Sequence, residues 1–408
     1  MSRNIVICEP VRSAVGGFGG QFKHLPPEEL GRQTLEALIT KSGLEADVVD
    51  DVILGNCYPT MEAPAIGRVV ALNAGLPVTT PGRQVDRRCG SGLQAIADGH
   101  AMINAGFADV VIAGGVETMS RGAFFNEEIR WGVKGTGIDL KDSLARGRVT
   151  AGGTNYPVPG GMIETAENLR AEYGIPRQEQ DEFAVESHRK AAAATDSGRF
   201  GDEIVPVTVP AHRKTPEQVI TRDEHIRPDA NVESLSRLRP ILQTSDAEAT
   251  VTAGNASGQN DGAALCIIAT EEKARELGLR VFARMVGWAV AGVPPKTMGI
   301  GPVPAVAKAL EHAELTLGDM DLIELNEAFA SQALACTREW ELSANDFAQR
   351  FNVNGSGISL GHPVGATGGR ILATLLHEMR RRDSRYGVET MCIGGGQGMA
   401  AVFENMSR

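Results

Sequence analysis

Two stretches of this 408-residue chain are repeated later in it at a near-constant distance. VVDDVILGN, ending at Asn56, matches GDMDLIELN, ending at Asn326, and DVVIAGG, ending at Gly115, matches ETMCIGG, ending at Gly395. Offsets of 270 and 280 residues, kept over several elements, call for two copies of one βα-rich unit, each packing helices on a mainly parallel sheet. Hydrophobic periodicity gives the same order twice. In the first half it predicts strands at 4–8, 48–55 and 108–113, a helix at 27–42 and another after Cys89. In the second it predicts strands at 281–290, 319–325 and 389–393, a helix at 303–313 and another from about Gly365. The halves are expected at 1–270 and 278–406. Residues from about 120 to 249 have no counterpart and read as an inserted loop domain carrying helices near 165–173 and 177–194. Such an insertion either decorates the fold and helps it associate, or covers a ligand.

Composition narrows the function. Aromatics make up only 5% and the net charge is −11, which disfavours a surface for nucleic acid. No stretch approaches the roughly 18 apolar residues of a membrane span, and the start lacks a leader pattern, so a cytoplasmic protein is expected. Six cysteines (Cys8, Cys57, Cys89, Cys266, Cys336, Cys392) lie scattered without a CxxC pair, so no metal site is expected.

Four blocks carry chemistry. In VDRRCGSGLQAIADG, the apolar positions Leu93, Ile96 and Ala97 share one helical face, which puts Cys89 at a helix start, where free N–H groups favour a thiolate. In NVNGSGISLGHPVGATGGR, His362 stands in a glycine-rich loop stiffened by Pro363, as a fixed base with a pKa near neutrality. In ETMCIGGGQGMA, a strand delivers Cys392 into Gly394, Gly395 and Gly396, whose amides are free to face an oxyanion. In LIELNEAFA, Asn326 ends a buried strand, where α/β proteins gather their sites. Taken alone, Cys89 reads as a packing cysteine, His362 as a satisfied structural histidine and Asn326 as a turn or cap residue, while the glycine cluster after Cys392 fits a nucleotide-binding loop poorly, since GxGxxG is not matched.

Together with RSAVGGFGG, GGVETMS and TAGNASGQNDGAA, these blocks resemble the thiolase family along the whole chain. The resemblance implies an α/β, duplicated thiolase-like fold of five layers, with mixed sheets sandwiched by helices. It implies an acyltransferase that condenses acyl-CoA or cleaves 3-oxoacyl-CoA with no cofactor, coenzyme A being substrate, and that works as a homodimer or homotetramer. By resemblance, Cys89 carries the acyl group, His362 activates it, and Cys392 exchanges the α-carbon proton. Asn326, through a water, forms one oxyanion hole with His362; the amides of Cys89 and Gly394 form the other. Ser257 is placed on the pantetheine arm, Met298, Phe329 and Met162 beside the acyl group, and Arg227 and Ser234 at the adenine end. Departures stand at Asp86 and Arg88, where the family usually has Asn and an apolar residue, at Ile163, usually Gly, and at Gly161, where short-chain members often have His. A ketoacyl synthase-like condensing enzyme and a non-catalytic lipid carrier or scaffold are the rival readings.

Overall fold

The structure, a computed structural model, describes residues 3–135 and 137–407. Its strands are β1 (Ile5–Arg12), β2 (Gly16–Gly17), β3 (Asp51–Gly55), β4 (Gly82–Val85), β5 (Val110–Thr118), β6 (Phe124–Phe125) and β7 (Lys141–Asp142), followed by β8 (Val207–Val209), β9 (Gln218–Ile220), β10 (Asn260–Thr270), β11 (Val281–Gly292), β12 (Leu322–Leu325), β13 (Tyr386–Ile393) and β14 (Gln397–Asn405). Ten of these form one sheet in the order β12-β13-β14-β11-β1-β10-β5-β3-β4, with β2 paired to β10. The order displays the repeat: β1, β10, β5 and β3, from the centre outward, answer β11, β14, β13 and β12.

The expectation of mainly parallel sheets is corrected. β3 lies parallel to β4 and β5, and β12 to β13, but the ladders nearer the centre are antiparallel. The reason is that each half returns to the centre through a strand running back, β14 after the tight turn at Gly394–Gly396 and β10 after the insertion.

Both faces of each half-sheet are covered, so the strands are apolar on both sides instead of alternating with polar residues. In β5, Val110, Ile112 and Val116 face the outer helices Pro27–Ser42 and Ile66–Asn73, through Leu30, Leu35, Leu38 and Val70. Val111 and Ala113 face inward, where helices Ser91–Asn104 and Thr367–Arg382 bring Leu93, Ile96, Ile371 and Leu375 against Met391 and Phe403 of the other half. Helices Pro302–Ala313 and Ala330–Glu339 cover the second outer face with Val306, Ala309 and Ala333. Five layers result. The seam between β1 and β11 is short, pairing Ile7 with Ala283 and Cys8 with Val281 across a register shift.

The insertion holds helices Ser143–Val149, Gly161–Tyr173 and Arg177–Asp196 and the hairpins β6–β7 and β8–β9. The second of these helices begins four residues before the expected start. Gly160 and Gly161 do not break it, because Glu164 reaches back to accept the Gly160 N–H at 2.6 Å. Met162 and Ile163 therefore lie on its first turn and not on a loop. Among the described residues no helix is long and apolar enough to cross a membrane.

Candidate active site

Cys89 sits in a short 3-10 turn, Arg88–Gly90, that runs into the helix Ser91–Asn104. Arg88 takes a left-handed backbone at φ +47°, a conformation that costs a non-glycine residue about 1–3 kcal/mol. Ser91 holds the turn: its Oγ accepts from Arg87 N at 2.8 Å and donates to the Arg88 carbonyl at 2.7 Å. Gly90 has no side chain because a Cβ there would stand 2.6 Å from Ile393 of the opposite half.

The helix start does not lower the Cys89 pKa as expected. Burial raises it, against the Gly394 N–H directed at the sulfur and the nearby Arg88 charge, which both favour the thiolate. The resting group is the thiol. Desolvation outweighs the dipole because the first helical turn lies beneath a covered cavity and not at the surface.

His362 also departs from expectation. Its imidazole is pushed down to about 3, first by burial and then by the charges of Arg370 and Arg148, so it is neutral. Nδ1 lies 2.6 Å from Thr367 Oγ1, whose own proton goes to the Pro363 carbonyl at 2.9 Å. Thr367 therefore accepts from Nδ1–H, which leaves the lone pair on Nε2. The His362 backbone N–H donates to Asn260 Oδ1 at 2.9 Å, fixing the loop.

Cys392 ends β13, fully buried, its thiol pushed far up by burial and by proximity to Cys89. Gly395 and Gly396 follow at φ +91° and +83°, a turn that side chains resist. Asn326 is fully buried, and neither end of its amide has a protein partner, whereas its counterpart Asn56 donates to Val116 O at 3.0 Å and Glu117 Oε1 at 2.9 Å. The repeated strand end thus has a structural use in one half and an uncommitted amide in the other.

Cys89, His362, Cys392 and Gly394 line one cavity of about 380 Å³ together with Met162, Arg227, Ser257, Met298 and Phe329. The insertion contributes to the lid and wall through Arg148, Met162, Ile163, His225, Arg227 and Ile241. Of the remaining expected residues, Asn326 is not on the lining. Ser234 is exposed, and its Oγ is engaged in a helix capping box with Asn231.

Several supporting residues were not singled out from the sequence. Thr367 and Asn260 orient His362. Glu117 accepts from Cys57 N and Gly365 N at 2.9 Å each and from Tyr58 N at 3.2 Å, tying the loop after β3 to the loop of His362. Burial pushes its carboxyl up to about 7 against those donors. All three lie within the motif blocks noted above, which was the only signal available. Among the described residues no group of three His, Cys, Asp or Glu stands close enough to ligate a metal.

A part-buried thiol with a backbone N–H directed at it, a neutral imidazole with its free nitrogen unprotonated, and a second thiol stand on one cavity, a set of groups chemically suited to acyl transfer through cysteine. Residues 5–272 match the family described as thiolase, N-terminal domain, and residues 279–405 match thiolase, C-terminal domain. The chain belongs to the thiolase family, and it is an acyltransferase of the class that condenses and thiolytically cleaves acyl-CoA. It is 44% identical to the beta-ketothiolase BktB of Cupriavidus necator over the full length of both chains. Among solved structures it is similar to the acetyl-CoA acetyltransferase of Bacillus anthracis, at 43% identity and a TM-score of 0.93 over 99% of each chain. It is also similar to human mitochondrial 3-ketoacyl-CoA thiolase in complex with CoA, at 40% identity and a TM-score of 0.91 over 99% of this chain and 98% of that one.

Proposed function

We propose that the reaction runs through an acyl group on Cys89. The Cys89 thiol passes its proton to Nε2 of His362 as the sulfur attacks the thioester carbonyl. The amides of Cys89 and Gly394 receive the oxyanion; His362 keeps that proton, and Cys392 gives its own to the departing coenzyme A, which leaves Cys392 as a thiolate. The Cys392 thiolate so formed, a strong base because burial raises its pKa, takes a proton from the α-carbon of a second acyl-CoA. The enolate oxygen is held by the protonated His362 and by a water on Asn326, and its carbon attacks the acyl-Cys89 carbonyl to expel the thiolate, which recovers its proton from His362. In reverse, the same groups cleave a 3-oxoacyl-CoA.

Ser257 holds the pantetheine arm, Met162, Met298 and Phe329 flank the acyl group, and Arg227 and Ser234 serve the adenine end. The enzyme needs no cofactor, works in the cytoplasm as a homodimer or homotetramer, and divides at 1–270 and 278–406, a division supported by the matched spans. The observation that carries the mechanism is the Gly394 N–H of one half directed at the Cys89 sulfur of the other, in a cavity shared with His362 and Cys392.

Cys89→Ala is expected to abolish both turnover and the acetyl adduct seen by intact-protein mass spectrometry. Cys392→Ser is expected to form the adduct yet condense roughly 10²–10⁴-fold more slowly, the usual contribution of a general base. An adduct retained in the first variant, or unimpaired condensation in the second, rejects the assignment.

A further inference from the structure

The cavity has three arginines on its lining, Arg88, Arg148 and Arg227, and no aspartate or glutamate. Arg227 is accounted for at the adenine end. The other two are not: Arg88 adjoins Cys89 in the chain, and the charge of Arg148 acts on His362.

Arg88 precedes the nucleophile, and its strained φ turns the side chain toward Tyr58, over whose ring the guanidinium carbon lies 5.3 Å from the centroid. Its Nη1 donates to the Cys57 carbonyl at 2.9 Å, and its one carboxylate neighbour, Asp86, is a partly exposed group at 3.8 Å. Arg148 comes from the other side, on the last turn of Ser143–Val149. With the Gln259 amide oxygen turned toward it, Arg148 donates through its two Nη atoms at 2.7 and 3.2 Å, and no carboxylate among the described residues pairs with it. Arg88 and Arg148 line the same cavity as Tyr58, and both charges favour its ionised hydroxyl against the burial that opposes it.

The neighbouring glycines fit this arrangement. A Cβ on Gly147 would stand 2.8 Å from Arg88 Nη2, and one on Gly161, itself at φ +63°, would stand 3.3 Å from Arg148 Cβ. Larger residues at either position would crowd the two arginines.

The remaining wall on this side of Cys89 is apolar, formed by Met119 and Val364, whereas Cys392, Met298 and Phe329 cluster on the other side. A chain attached to the Cys89 sulfur, with Met298 and Phe329 on one flank, would run past Met119 on the other toward Arg148, which no carboxylate among the described residues neutralises, and Arg88, whose partner Asp86 stands off at 3.8 Å. A neutral alkyl tail ending there would desolvate both without compensation. A carboxylate would satisfy them through charge-assisted hydrogen bonds.

We propose that this thiolase site prefers acyl groups with a terminal carboxylate, that is, 3-oxoacyl-CoA thioesters of dicarboxylic acids, with Arg148 and Arg88 recognising the distal carboxylate. The inference rests on the acyl-Cys89 reading.

The test compares thiolysis of 3-oxohexanedioyl-CoA with that of 3-oxohexanoyl-CoA, equal in chain length and differing in the terminal carboxylate. The wild-type chain is expected to favour the former by at least about tenfold in kcat/KM. Arg148→Leu should collapse that ratio through a raised KM for the carboxylate substrate, with Arg148→Lys retaining part of it, and Arg88→Leu should lower the ratio in the same sense. A wild-type ratio near or below one overturns the proposal. So does a ratio that Arg148→Leu leaves intact, or a loss in kcat common to both substrates, which would place Arg148 as a structural neighbour of His362. If neither substrate is cleaved and acetyl-CoA leaves no adduct on Cys89, the acyl-Cys89 reading falls and takes this inference with it.

Discussion

His362 and Cys89 line one cavity as neutral groups, an imidazole held at about 3 and a thiol raised by burial. The acid limb of kcat/KM should therefore lie well below that of a free imidazole. At pH 5 a base of pKa 6.5 would be only about 3% neutral, whereas His362 stays competent. A pH–rate profile that loses its activity between pH 7 and 6 would contradict this. The Cys89 absorbance change at 240 nm should appear only at alkaline pH, with no plateau near neutrality. The same depression makes stability pH-dependent. The unfolded chain binds the His362 proton between about 6.5 and 3, so this contribution is complete above pH 6.5 and declines as pH falls through that window. Thr367→Val removes the acceptor that holds Nδ1–H and should lower kcat about tenfold or more, leaving KM and the melting temperature less affected. Unchanged kcat would show that the ring needs no such orientation. The glycine-rich settings of Cys89, His362 and Cys392 singled out three residues that the fold brings onto one cavity. Their protonation states were not legible, because burial depends on what packs over them.

Among the elements, glycines do more than form turns. A Cβ on Gly115 of β5 would overlap the Gly365 carbonyl oxygen, and one on Gly92 would approach Gly369 N at 2.9 Å. The two halves meet backbone to backbone at the foot of the helix Thr367–Arg382. Gly115→Ala is expected to cost about 3 kcal/mol or more and to depress kcat by shifting the His362 loop. Gly153→Ala serves as a control: φ is +64° and nothing lies within 4 Å, so only about 1 kcal/mol of backbone strain is expected. Urea midpoints of the two variants measure the difference, and equal losses would remove the close approach as the cause. The sequence pattern revealed strands and helices in both halves because apolar periodicity is local. It could not show which backbone would press against Gly115, and it overestimated parallel pairing because the returning strands β10 and β14 follow from chain path and not from residue type.

For the whole molecule, the inner layer belongs to neither half alone. Leu93 and Ile96 of one half and Ile371 and Leu375 of the other are buried in a single cluster. A chain of residues 1–277 would expose that apolar face and is expected to lack a cooperative urea transition and sharp near-UV circular dichroism. A fragment that melts cooperatively would show the halves to be independent. The repeat made the doubling legible; the depth of the interlock was not, since it lies in the facing helices. The brevity of the β1–β11 seam has a practical consequence for anyone recombining relatives. Two residue pairs cannot hold one plate square to the other, so alignment falls to the interdigitated glycines Gly55, Gly92, Gly115, Gly365 and Gly368. A chimera joined between 270 and 278 will stay active only if both parents match at those five positions, however well the sheet edges fit.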